Sequence, residues 1–63
     1  MRNNLPTARK QRGLSQQALA DALGVSRQTI ISIEKGRFDP SLPLAFELAK
    51  FFDCQIEDLF IPD

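Results

Sequence analysis

The stretch Gly13-Leu14-Ser15-Gln16-Gln17-Ala18-Leu19-Ala20-Asp21-Ala22-Leu23-Gly24-Val25-Ser26-Arg27-Gln28-Thr29-Ile30 decides how this chain folds. Ser15 is a good N-cap, because its hydroxyl can accept from one of the backbone N–H groups left free at a helix start. The helix it opens covers residues 16–23, with Leu19, Ala20 and Leu23 as a buried stripe. Ala20 is small enough to let a neighbouring helix axis come close. Gly24 ends the helix, and a turn that needs φ > 0 is the simplest reading of it. Only Gly24-Val25-Ser26 separates this helix from the next, and Ser26 is again an N-cap. The next helix runs from Arg27 to Lys35, with Gly36 as its stop. On a wheel of about 100° per residue, Ile30 and Ile33 face inward together, flanked by Thr29 and Glu34. Arg27, Gln28, Ile31, Ser32 and Lys35 fall within about 140° on the opposite side.

The flanks read as further short helices. Leu5-Pro6 to Arg12 is a first helix, since Pro6 costs nothing in a first turn and Gly13 ends the segment. Arg37-Phe38-Asp39-Pro40 is a loop. Ser41 caps a fourth helix that reaches Phe52, with Pro43 tolerated near its start. Leu42, Ala45, Leu48, Ala49 and Phe52 form its main stripe, widened by Leu44, Phe51 and Phe46 to an apolar arc of roughly 220°, more than one core face needs. A last helix spans Ile56 to Phe60, with Glu57 and Asp58 in the first turn where they complement the helix dipole. No strand-like alternation lasts six residues. The expected class is all-α, with five helices in one domain over residues 1–63.

Composition narrows the chemistry. The chain has no His, Trp or Tyr and a single Cys. A Ser-His or Cys-His nucleophile pair is impossible, and one cysteine builds neither an internal disulfide nor a zinc site. Cys54 is expected to pack in the core. No metal ligand cluster, cofactor motif or phosphate loop is present, so the sequence argues against an enzyme. No apolar run approaches the ~18 residues of a membrane span, and the N-terminus is not a secretory signal. Eight basic and eight acidic residues cancel overall. The neutrality is a sum of two charged halves: residues 1–37 carry a net +5 and residues 38–63 a net −5. Such asymmetry hints at contact with a polyanion.

Two short helices joined by a three-residue turn with Gly make the helix-turn-helix signature, here at about residues 16–35. Together with Ile33-Glu34-Lys35-Gly36, Pro40-Ser41-Leu42, Leu48-Ala49 and Ile56-Glu57-Asp58-Leu59-Phe60, the stretch resembles the phage-repressor, Cro-like (xenobiotic-response-element type) family of transcriptional regulators. The resemblance covers about residues 5–60. It implies a compact five-helix, lambda-repressor-like DNA-binding domain that binds operator DNA, usually as a dimer. It also implies that Gln16 helps clamp a phosphate and buttress the recognition helix, and that Arg9 and Glu34 form a buried ion bridge between the first and third helices.

The residue chemistry points the same way. Arg27 and Gln28, near the N-terminus of the third helix, can reach base edges, Gln pairing with adenine and Arg with guanine or phosphate. Thr29, Ser32, Lys35 and Arg37 are expected to contact the DNA backbone, with Gln16, Gln17 and Ser26 completing the interface. Ser26 is a cap first, a role that does not exclude donation to phosphate. Ile31 has two readings of equal weight, packing on a thymine methyl or marking the helix–helix margin. Arg2, Lys10 and Arg12 are expected to be solvated charges that add to the field. Phe46, Phe51, Phe60 and Ile61 are the expected dimer surface.

The expected function is sequence-specific binding of double-stranded operator DNA in the major groove by a homodimer acting as a repressor. The alternative is an antitoxin, or another protein-binding use of the domain, that also binds its own operator; its apolar surface would hold a different protein. No small-molecule effector domain is expected, and the expected setting is the cytoplasm of a prokaryotic or phage-type system, on the nucleoid.

Overall fold

Ser15, Ser26 and Ser41 act as caps, and they set the helical frame. Their side-chain oxygens accept from the backbone N–H groups of Ala18, Thr29 and Leu44 at 3.0, 3.1 and 3.3 Å. A computed structural model describes residues 1–62. Its helices are α1 (Leu5–Gln11), α2 (Gln16–Leu23), α3 (Arg27–Glu34), α4 (Leu42–Phe51) and α5 (Ile56–Leu59). The all-α, five-helix reading therefore describes the domain. Arg12, Lys35, Phe52 and Phe60, read as last helical residues, are the caps that follow α1, α3, α4 and α5.

One feature absent from the sequence reading is a short ladder between the chain ends. β1 (Arg2–Asn3) pairs antiparallel with β2 (Phe60–Ile61), Arg2 opposite Ile61 and Asn3 opposite Phe60. Two residues per strand are too few to leave an alternation signal. The Asn4 N–H extends the contact, donating to Leu59 O at 2.7 Å. The Asn3 side chain ties the ladder to two helices. Its Oδ1 accepts the Leu5 N–H at 3.1 Å, and its Nδ2 donates to Ile33 O, near the end of α3, at 2.9 Å.

The core draws on every helix: Leu5 from α1, Leu19 and Ala20 from α2, Ile30 and Ile33 from α3, Ala45, Leu48 and Ala49 from α4, and Leu59 from α5, with Phe52 and Phe60. The fourth helix departs from its expected stripe at the start. Leu42, the first residue of α4, is 65% exposed, at the rim of the core rather than inside it. Three residues of the expected dimer surface also need correction. Phe60 is buried to 6% exposure, since β2 pairs with β1 and packs on α5, and Phe51 is half-buried in an edge-to-face contact with Phe52, centroids 5.0 Å apart. Ile61 is half-buried in the ladder. Only Phe46 of that set stands out, at 59% exposure.

Cys54 is half-buried against the core. Burial pushes its thiol above the ordinary value near 9.0, and the carboxylates of Asp58 and Asp53 push the same way against Arg12. The thiol therefore stays protonated at neutral pH, as a packing residue does.

Candidate nucleic-acid interface

The interface begins with the turn that aims α3. Gly24 adopts φ 70°, in the left-handed region, and its N–H donates to Asp21 O at 3.3 Å. The Val25 N–H donates to Ala20 O at 3.0 Å, so the last carbonyls of α2 are satisfied as the chain reverses. Ser26 then caps α3, and its hydroxyl also lies 2.9 Å from Thr29 Oγ1. Ile30 and Ile33, both fully buried, bolt α3 to the core.

A polar network fixes α3 from the inside. Arg9 Nε donates to Glu34 Oε2 at 2.7 Å, and Arg9 Nη2 to Glu34 Oε1 at 3.2 Å, a two-pronged pair. Both side chains are nearly buried, at 11% and 7% exposure. Arg9 Nη1 reaches Leu14 O at 2.8 Å, and Gln16 Nε2 donates to Glu34 Oε1 at 3.1 Å. The network joins α1, the turn before α2, the start of α2 and the end of α3. Gln16 is half-buried against α3, at the N-terminal end of α2, where the positive helix dipole favours an anion.

The outer face of α3 is open. Ser26, Arg27, Gln28 and Lys35 are exposed, while Thr29, Ile31 and Ser32 are half-buried. Gln28 Nε2 donates to Ser32 Oγ at 3.2 Å, which orients the amide and leaves its carbonyl oxygen without a partner among the described residues. The chain leaves α3 tightly, with the Arg37 N–H on Ser32 O at 3.0 Å, so Arg37 stays beside the helix end. Gln17 is exposed on α2 and its amide donates to Asp21 Oδ1 at 2.8 Å. These residues thus lie on or beside α3 and the start of α2.

Two side chains stand differently from their sequence reading. Arg12, read as a solvated charge, lies against α4: Nη1 donates to Phe51 O at 3.0 Å, and the guanidinium stacks 5.7 and 5.3 Å from the Phe51 and Phe52 ring centres. It caps the negative end of α4 rather than adding freely to the basic field. Phe38, read only as a loop residue, lies with Ser26, Gln28, Thr29 and Ser32 around a shallow recess on the outer face of α3. The available signal was an aromatic residue immediately after Arg37, which loop composition alone does not place.

A buried inner stripe, a short glycine turn and an exposed polar second helix define an all-α helix-turn-helix domain. The helix-turn-helix family model matches residues 7–59, and the chain belongs to that family. It is 61% identical over 61 residues to an HTH-type transcriptional regulator of Methanocaldococcus jannaschii, covering 97% of this chain and 92% of that one. An HTH-type transcriptional regulator of Archaeoglobus fulgidus is 46% identical over 63 residues, all of this chain and 90% of the relative. The cryptic phage CTXphi transcriptional repressor RstR of Vibrio cholerae is 37% identical over 51 residues, 81% of this chain and 46% of RstR. Among the described residues, no helix is long and apolar enough to cross a membrane.

Proposed function

We propose that this protein is a transcriptional regulator that binds double-stranded operator DNA by laying α3 in the major groove, and that it acts as a homodimeric repressor. The observation that carries the reading is the exposed pair Arg27–Gln28 at the first turn of a helix whose opposite face is locked in the core. An α-helix with its side chains is about 10–12 Å across, matched to a groove about 12 Å wide. Arg27 and Gln28 read base edges. Ser26, Thr29, Ser32, Lys35 and Arg37 hold the backbone, and Gln16 and Gln17 meet a phosphate at the N-terminus of α2. The longest dimension of the domain, 28 Å, is shorter than one turn of B-DNA at about 34 Å, so one domain reads one half-site. A second copy docks through the exposed apolar residues of α4, Leu42 and Phe46. RstR, a repressor by name, supports the direction of regulation.

The test is selection of bound DNA from a random pool, followed by the same selection with Gln28→Ala. The expected result is a two-fold symmetric site in which Gln28→Ala relaxes one base pair per half-site, at a cost of about 1–3 kcal/mol. Lys35→Ala weakens all sequences alike and flattens the salt dependence by about one unit of slope. Specificity unchanged in Gln28→Ala removes α3 from the groove.

A further inference from the structure

Four large apolar residues are exposed among the described ones: Met1, Phe38, Leu42 and Phe46. Met1 and Leu42 share an apolar hollow with Ile56 and Phe60, and Phe46 borders a groove with Ala49 and Ile56, so all three belong to the α4–α5 side. Phe38 does not. It is 48% exposed and shares its recess with Ser26, Gln28, Thr29 and Ser32, all from the cap and outer face of α3. A benzyl ring beside four polar side chains has no donor or acceptor to offer phosphate, sugar hydroxyl or base amide. The apolar group that a base pair presents in the major groove is the C5-methyl of thymine. The neighbour of Phe38 sharpens the match. Gln28 spends one amide hydrogen on Ser32 Oγ at 3.2 Å and keeps its second hydrogen and its carbonyl, the two groups that pair with adenine N7 and N6. Every adenine brings a thymine on the opposite strand, and its methyl projects into the same groove.

We infer that Phe38 is a specificity-determining residue, its ring packing on the C5-methyl of a thymine at or next to the base pair that Gln28 reads; this rests on the proposal that α3 lies in the major groove. The ring and the amide then act as one reader. Gln28 takes the hydrogen-bonding edge of an A·T pair, and Phe38 distinguishes thymine from the other bases by a group that makes no hydrogen bond.

The experiment replaces each dT of the selected site with dU, which removes the methyl and nothing else, and measures affinity for the wild-type protein, Phe38→Ala and Phe38→Leu. One dU position per half-site should weaken wild-type binding about fourfold, the ratio that burying one methyl group corresponds to. Phe38→Ala should bind the dT site more weakly than wild type and lose all discrimination between dT and dU there. Phe38→Leu, still apolar, should keep part of it. Because Phe38 is exposed in a loop, both variants should keep the wild-type circular dichroism and melting profile. A wild-type protein indifferent to dU, or a Phe38→Ala variant that keeps the full dU penalty, overturns the inference. If Gln28→Ala relaxes a base pair while Phe38→Ala changes nothing, only this inference falls. If neither variant alters binding or sequence preference, the placement of α3 falls with it.

Discussion

Arg9 is the side chain that most of the site leans on. It holds Glu34 through two nitrogens and Leu14 O through the third, and Glu34 in turn receives Gln16. A buried pair of this kind contributes little net stability, because desolvation offsets attraction, yet losing one partner strands the other. Glu34→Ala is therefore expected to cost about 3 kcal/mol, read as a lower urea midpoint at unchanged slope. Arg9→Met combined with Glu34→Leu should regain most of that stability while still impairing DNA binding, because Gln16 loses its anchor. A single variant as stable as wild type would mean the network is ornamental. At this scale the caps were legible, since Ser15, Ser26 and Ser41 bond N–H groups three residues away. Arg12 was not legible, because its partner Phe51 lies 39 residues along the chain.

Elements are where the glycines act. Gly24 and Gly36 both adopt left-handed φ, 70° and 74°. Their surroundings differ. A Cβ on Gly24 would meet nothing within 4 Å, whereas one on Gly36 would lie 3.0 Å from the Met1 carbonyl oxygen. Gly24→Ala should thus cost only the conformational term, about 1–2 kcal/mol. Gly36→Ala should cost more, because the backbone of the first residues must also move. Thermal melts of the two variants check this, and equal losses would mean the chain start is not held against the end of α3. Helix existence was readable from the period and the caps. The β1–β2 ladder was not, for its register depends on α5 delivering Phe60 beside Asn3.

For the whole molecule, the charge split gains a location. Of the seven basic residues in the first half, Arg9 is taken up by Glu34 and Arg12 by α4, while Arg27, Lys35 and Arg37 stand at α3 and its end. Acidic Asp39, Glu47, Asp53, Glu57 and Asp58 are exposed on α4, α5 and the turns around them. Three cations at the proposed interface set a limit: the logarithmic salt slope on random DNA should not exceed about 3 per domain. A slope near ~6 per domain would show that another basic surface is engaged. The proposed dimerisation belongs to the same scale. With Phe51 half-buried and Phe60 in the core, Leu42 and Phe46 are what α4 would offer to a second copy. Phe46→Glu should give a monomer by sedimentation at tens of micromolar with the fold intact, and should weaken binding to a symmetric site far more than to a half-site. A wild-type monomer at that concentration would end the homodimer reading and favour a different protein on the same patch.

Period, caps and glycine stops act within about four residues, so they were written in the local sequence: five helices, the turn at Gly24 and the outward face with Arg27 and Gln28. Contacts 25 to 54 residues apart were not, because packing chooses among many chemically acceptable partners. The tertiary structure decided that Phe60 is core, that Leu42 is surface, that Arg12 serves α4, and that Phe38 shares a recess with Gln28. A hydrophobic arc says how much apolar surface a helix carries. Which part of it the rest of the chain covers is settled only when every element competes for the same core.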